Sequence, residues 1–103
     1  MQNIYLKIYV AENQKHHGML LYEWLLEQAK KLGIGGGSAF RAIAGFGRHG
    51  VMHEEAFFEL AGNLPVEVGF MVSDDEAARL LALLGTEQLK LFYVKIPAHC
   101  GLT

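Results

Sequence analysis

The residues best suited to chemistry lie between positions 38 and 54, where an apolar run gives way to Gly45-Phe46-Gly47-Arg48-His49-Gly50. Glycines leave the backbone free to adopt positive φ and to approach another group closely. Backbone N–H groups in such a turn, beside an arginine fork, suit an anion such as phosphate. The same residues would also form an ordinary glycine-rich turn at the end of a hairpin, with the arginine exposed to solvent. The segment alone therefore leaves both interpretations open.

Histidines and a single cysteine are the other candidate ligands, and they are His16, His17, His49, His53, His99 and Cys100. Imidazole and thiolate groups bind soft and borderline metals. None of these residues has the spacing of a known metal motif, so we interpret the histidines as solvated loop residues and predict no metal ligands. No Ser-His-Asp or Cys-His arrangement is present in the sequence pattern, and we predict no catalytic residue.

The composition narrows the class of protein. A chain of 103 residues predicts one domain, spanning residues 1–103, and the net charge of −2 gives no basic footprint for nucleic acid. One cysteine cannot form an internal disulfide, and no apolar run reaches the roughly 20 residues that span a bilayer. With no signal-peptide pattern, we expect a cytoplasmic protein. An apolar fraction of 51% is high for a small domain and indicates a partner chain.

The hydrophobic patterns predict the elements that must position these residues. Alternating apolar residues predict strands over 3–10, 38–46, 66–72 and 88–96, and apolar residues at spacings of three and four predict helices over 19–32 and from Ser73 to Gly85. Ser73 and Glu76 have the spacing of a capping box. Residues 11–18 and 47–54 are expected to be loops, and Gly35–Gly37 a flexible link.

The predicted order is β-α-β-β-α-β. Such a chain builds an α+β, ferredoxin-like fold, a four-stranded antiparallel sheet with two helices on one face. The last strand is apolar on both faces, and the first carries Tyr5 and Tyr9 on the face that the helices leave open. In a monomer the apolar side chains on that face would be exposed to water, and oligomerisation would bury them.

The chain resembles the PII-like signalling proteins, in particular a small prokaryotic family known as a domain of unknown function. The resemblance rests on residues 40–48, on His53 and on Leu64-Pro65-Val66. The segment from Gly45 to Gly50 resembles the start of the PII T-loop, and Lys90-Leu91-Phe92 resembles the opening of the last PII strand. The resemblance implies a homotrimer that binds a nucleotide between subunits. The residues that it implies as ligand contacts are Gly45, Phe46, Gly47, Arg48, His49 and Lys90.

The resemblance also implies a function. We expect a signalling protein that binds an adenine nucleotide of the AMP, ADP or ATP class, requires no cofactor, and acts through a flexible loop on a protein target such as a membrane transporter or an enzyme. Residues 47–54 are expected to become ordered on binding. The paired arginines that follow the last PII strand are absent, which favours a mono- or diphosphate. A divalent-metal-binding trimer and a small phosphate-handling enzyme on the same fold are the alternatives.

Overall fold

The computed structural model describes residues 3–46 and 63–103. In these residues the chain forms six strands and two helices, and four of the strands form one sheet. In chain order the elements are β1 (Asn3–Ala11), β2 (Lys15–His16), β3 (Met19–Leu20), α1 (Leu21–Lys31), β4 (Gly37–Arg41), β5 (Pro65–Ser73), α2 (Asp74–Thr86) and β6 (Tyr93–Ala98).

The main sheet has the order β4-β5-β1-β6, and every neighbouring pair is antiparallel. The two longest strands, β1 and β5, pair along their whole length, from Asn3 opposite Ser73 to Ala11 opposite Pro65. The order and directions are those of a ferredoxin-like sheet, so the predicted α+β fold is confirmed. Neither helix in the described ranges is long and apolar enough to cross a membrane.

The core lies between the helices and one face of this sheet. Period-two alternation directs one set of side chains from β1 and β5 toward the helices, and those side chains are buried. The helices contribute apolar residues at spacings of three and four. The largest fully buried side chains are Phe70, Leu6, Ile8, Leu21, Leu25, Leu80, Val68 and Val72.

Helix α2 is fixed at both ends by local hydrogen bonds. Its N-terminus has the predicted capping box, in which the Ser73 hydroxyl accepts from the Glu76 N–H and the Glu76 carboxylate accepts from the Ser73 N–H. At the other end, Leu89 N donates to Leu84 O and Gln88 N to Gly85 O, and Gln88 has a φ of 59°. This is a Schellman ending with glutamine in the left-handed position. The expectation that Gly85 ends the helix was therefore wrong.

Three other expectations about local structure need correction. Residues 11–18 are not all loop, because β2 at Lys15–His16 pairs with β3 at Met19–Leu20, and the first helix therefore begins at Leu21 rather than at residue 19. The second predicted strand is shorter than 38–46, since its partner β5 begins at Pro65 and pairing ends at Arg41. The last strand runs over Tyr93–Ala98 rather than 88–96 and includes Pro97, which an edge strand tolerates.

Gly37 is part of β4 rather than of a flexible link. A Cβ atom built on Gly37 would lie 2.6 Å from both Cδ1 and Cε1 of Phe70 and 3.1 Å from Cδ2 of Leu26. Gly35 and Gly36 have no neighbour within 4 Å of such an atom. The last glycine of the run therefore lets β4 lie directly against the aromatic core.

The sheet face opposite the helices carries exposed apolar side chains. Directly paired residues of an antiparallel ladder project on the same face. Met71 and Ile96 both pair with Tyr5, and they are 39% and 40% exposed. Phe40 pairs with Glu67, which pairs in turn with Tyr9, so it lies on the same side and is 58% exposed. We call this surface the open sheet face.

Candidate functional site

The glycine-rich segment leaves the sheet at a well-fixed point, the end of β4. Ala42 N donates to Pro65 O at 2.8 Å, and Glu12 N donates to Leu64 O at 2.9 Å. The Arg41 guanidinium also reaches across β5 to the end of β1, where its Nε lies 2.9 Å from Oε2 of Glu12. These contacts join β4, β5 and β1 at one end of the sheet.

A shallow cleft lies beside this point, with a volume of about 150 Å³, and is lined by Glu12, Tyr22, Ala39, Arg41 and Val66. Pockets that enclose small organic ligands usually measure roughly 300–1,000 Å³. As formed by the described residues, this cleft is therefore too small to enclose a nucleotide. Arg41, whose side chain is 63% exposed, lies at its rim with its charge paired to that of Glu12.

The predicted phosphate turn begins just past this cleft. A Cβ atom built on Gly45 would lie 3.5 Å from Cγ of Pro65, an ordinary van der Waals distance. Phe46 is 85% exposed. The other three predicted turn residues, Gly47, Arg48 and His49, lie outside the described residues, as does most of the predicted T-loop. Their assignment stays a prediction.

Lys90, the remaining predicted contact, lies in the connection between α2 and β6 and is exposed. Tyr9 N donates to Phe92 O at 3.0 Å, which places this connection beside the carboxyl end of β1. Gly45 and Lys90 are thus at the same end of the sheet. The strands next to them in sequence are the two edges of the sheet, since Gly45 follows β4 and Lys90 precedes β6. Three strand spacings of about 4.8 Å separate those two strands by roughly 14 Å.

A second group of polar side chains comes together where the β2–β3 hairpin meets the end of α2. Nε2 of His16 and Nε2 of His17 each lie 2.9 Å from Oε1 of Glu87. The hydrogen bond from His16, followed by that from His17, lowers the pKa of the Glu87 carboxyl below its ordinary value of 4.5. The interpretation of His16 as a solvated loop residue was wrong, because its side chain is only 17% exposed.

The aromatic core orients these histidines. The His16 ring meets the buried Trp24 ring edge-on, with centroids 4.6 Å apart and an interplanar angle of 77°. The His17 ring lies 4.1 Å from that of His16. The sequence carries one local sign of this arrangement, the His17-Gly18 pair, which fits a two-residue hairpin turn. Glu87 is 70 positions away from His17, and no sequence pattern connects them.

Comparisons with known proteins identify relatives of this chain. A family profile, DUF190, described as "Uncharacterized ACR", matches residues 3–89. A UPF0166 protein of Aquifex aeolicus (strain VF5) is 36% identical over 76 residues, which are 74% of this chain and 72% of the relative. A UPF0166 protein of Methanocaldococcus jannaschii is 35% identical over 79 residues, or 77% of this chain and 72% of the relative. The names of the family and of these relatives state no activity. The family match ends at residue 89, one residue before Lys90.

Proposed function

The chain belongs to the DUF190 family, a PII-like group, and on this premise we propose that it is a nucleotide-responsive signalling protein of the cytoplasm. It binds an adenine nucleotide of the AMP, ADP or ATP class in a cleft between the subunits of a homotrimer. The phosphates contact the turn from Gly45 to His49. The loop that continues from this turn relays the presence of the nucleotide to a protein target, such as a transporter or an enzyme.

The observation that best supports this proposal is the point at which the glycine-rich segment leaves the sheet. Hydrogen bonds at Ala42 and Glu12 and the Arg41–Glu12 ion pair hold the last residues before the turn. A turn that starts from a fixed base can present its N–H groups to phosphate with little loss of conformational entropy on binding. Arg48 would then add a bidentate, charge-assisted contact.

Assembly into a trimer is supported by two further observations. The open sheet face carries exposed apolar residues, including Phe40 and Met71, whose burial would stabilise a complex by about 25 cal/mol per Å² removed from water. Gly45 follows one edge strand, β4, and Lys90 precedes the other, β6. A cleft between subunits would bring the turn at Gly45 of one chain beside Lys90 of its neighbour.

Isothermal titration of the protein with ATP, ADP, AMP and a cyclic nucleotide tests the proposal. We expect Arg48→Ala to weaken binding of the preferred nucleotide by roughly tenfold to a hundredfold, because a hydrogen bond to a charged group contributes about 1.5–3 kcal/mol. His49→Ala should have a smaller effect, since an imidazole is only partly charged near neutral pH. Lys90→Ala should also weaken binding.

Lys31→Ala provides the matched control. Lys31 is exposed in the last turn of α1, at the opposite end of that helix from β3. Loss of the same positive charge there should leave the affinity unchanged. Binding that is equal in wild type and Arg48→Ala would show that other residues hold the phosphates. Absence of affinity for all four nucleotides would contradict the proposed function itself.

A divalent-metal function is the second candidate, and the convergence of His16 and His17 on Glu87 favours it. This group lies on the hairpin and the end of α2, and it involves none of the predicted nucleotide contacts. The two functions can therefore be tested independently.

A further inference from the structure

We propose that His16, His17 and Glu87 form a binding site for a divalent transition-metal ion, with Zn²⁺ as the best match. The site is independent of the proposed nucleotide cleft. It rests on three features of the fold, which are the distances between the ligand atoms, the way the hairpin presents the two rings, and the position of Glu87 at the end of a helix.

The distances between the ligand atoms are close to those of a metal site. Oε1 of Glu87 is 2.9 Å from Nε2 of each histidine, and the candidate ligand atoms of the three residues all lie within 4.8 Å of one another. Tetrahedral Zn²⁺ with bonds of about 2.0–2.1 Å holds its ligand atoms about 3.3 Å apart. The two nitrogen–oxygen distances are therefore a few tenths of an ångström shorter than in such a site, and the two nitrogens lie no more than 4.8 Å from each other.

The hairpin turn holds the second imidazole at the group. His17 and Gly18 are the central residues of the two-residue turn, and they have φ values of 53° and 80°. A left-handed conformation costs a residue with a side chain about 1–2 kcal/mol, and asparagine or glycine usually occupies this place. The histidine found there brings its ring against that of His16 and its Nε2 to Glu87. This local strain is consistent with a selected role for the imidazole.

The first imidazole is held by the core. Trp24 is only 5% exposed, and its contact with the His16 ring restricts that ring to the orientation in which Nε2 faces Glu87. A preorganised ligand of this kind loses little side-chain entropy when a metal binds.

The position of Glu87 favours a positive charge in this place. Glu87 is the C-cap residue of α2, and the last turn of that helix contains no basic residue. A helix C-terminus carries a partial negative charge, to which a carboxylate adds another. A cation bound between Glu87 and the histidines would offset both. The hydrogen bonds that Glu87 makes with the two histidine rings show that its carboxylate already faces both candidate nitrogen ligands.

The ligand types identify the class of ion. Two imidazole nitrogens and one carboxylate oxygen suit Zn²⁺ and similar borderline ions, whereas Mg²⁺ and Ca²⁺ prefer sets made only of oxygen atoms. Three protein ligands leave a fourth tetrahedral position for water. The side chain of His17 is 62% exposed, so the ion has access from solvent.

Calorimetric titration of the tag-free chain with ZnCl₂, after chelator treatment and without nucleotide, tests this site. We expect one Zn²⁺ per chain with a dissociation constant of about 10 μM or lower, and no comparable binding of MgCl₂. His17→Asn keeps a residue suited to the left-handed turn but removes the imidazole, and Glu87→Gln keeps an oxygen acceptor but removes the charge. Each change should weaken Zn²⁺ binding about a hundredfold or more, since even an outer-sphere partner is worth about 10–100-fold.

His99→Asn is the matched control, because His99 is an exposed histidine in the C-terminal tail. It should leave Zn²⁺ affinity unchanged. The proposal is overturned if wild-type affinity is weaker than about 10 μM, or if His17→Asn and Glu87→Gln both bind Zn²⁺ as the wild type does. Because no nucleotide is present, neither result depends on the proposed signalling function.

Discussion

Replacing Gly37 with alanine should destabilise the fold, because the new methyl group has no space. The Cβ atom would lie 2.6 Å from two carbons of the Phe70 ring and 3.1 Å from Cδ2 of Leu26. Carbon atoms are in favourable contact at about 3.5–4.0 Å. Phe70 is only 1% exposed, so its ring cannot turn outward to relieve the overlap. Either β4 or the core must shift.

Two opposing effects set the magnitude of the change. Inserting a methyl group into a packed core costs about 1–3 kcal/mol. Alanine also restricts the unfolded chain more than glycine does, which stabilises the folded state by about 0.4–1 kcal/mol. Because the overlap is with a buried aromatic ring, we expect the first effect to dominate. The free energy of unfolding should fall by about 1–2 kcal/mol.

Urea unfolding followed by the fluorescence of the buried Trp24 measures this change. Protein concentration must be equal for all variants, since assembly adds to the apparent stability. Gly36→Ala is the control, because no atom lies within 4 Å of its added Cβ, and it should be neutral or slightly stabilising. If Gly36→Ala and Gly37→Ala have the same unfolding midpoint, the close approach of β4 to Phe70 does not exist in solution.

Three further predictions concern the helix cap, the pH dependence and the open sheet face. Ser73→Ala should lower the free energy of unfolding by about 1 kcal/mol in the same assay by removing the hydroxyl that accepts from Glu76 N, and no change would exclude the cap. The pKa of Glu87 is lower in the folded state, so the unfolded chain binds more protons as the pH falls past 4.5, and stability declines. With chelator present, Glu87→Gln should lose less stability than wild type between neutral and acid pH, and equal losses would contradict the assignment. Met71→Glu should convert the proposed trimer to monomers, which light scattering would detect as a mass of 11.4 kDa. Ala78→Glu, on the exposed side of α2, should leave the trimer intact. A wild-type protein that is already monomeric would refute the proposed assembly.

Much of the fold follows from local patterns in the sequence. The alternation in β1 predicted its bounds to within one residue, because the same side chains are buried on one face of the sheet. The capping box at Ser73 was predicted correctly, since all of its atoms come from four neighbouring residues. The ends of β4 and β6 were predicted less well. A strand ends where its partner ends, and Pro65 on β5 limits β4 from a distance of 24 positions along the chain (65 − 41).

The two candidate sites also differ in how far local sequence predicted them. The turn from Gly45 to His49 was selected from its sequence, and the structure adds the fixed base at Arg41 and Ala42 from which it starts. The group around Glu87 was missed. Its histidines have no metal-motif spacing, and their common partner lies at the far end of the sequence.

The sequence by itself determined the order of the two helices and the four strands of the main sheet, the buried face of the long strands, and the signal for the start of α2, because these depend on residues a few positions apart. Only the tertiary structure decided which distant groups meet. The β4-β5-β1-β6 order places the strand before Gly45 and the strand after Lys90 on opposite edges of the sheet. The packing of the hairpin against Trp24 and the end of α2 places both histidines on Glu87. Such contacts arise when elements pack to bury their apolar faces, and that packing brings polar groups together without leaving a repeat or spacing in the sequence.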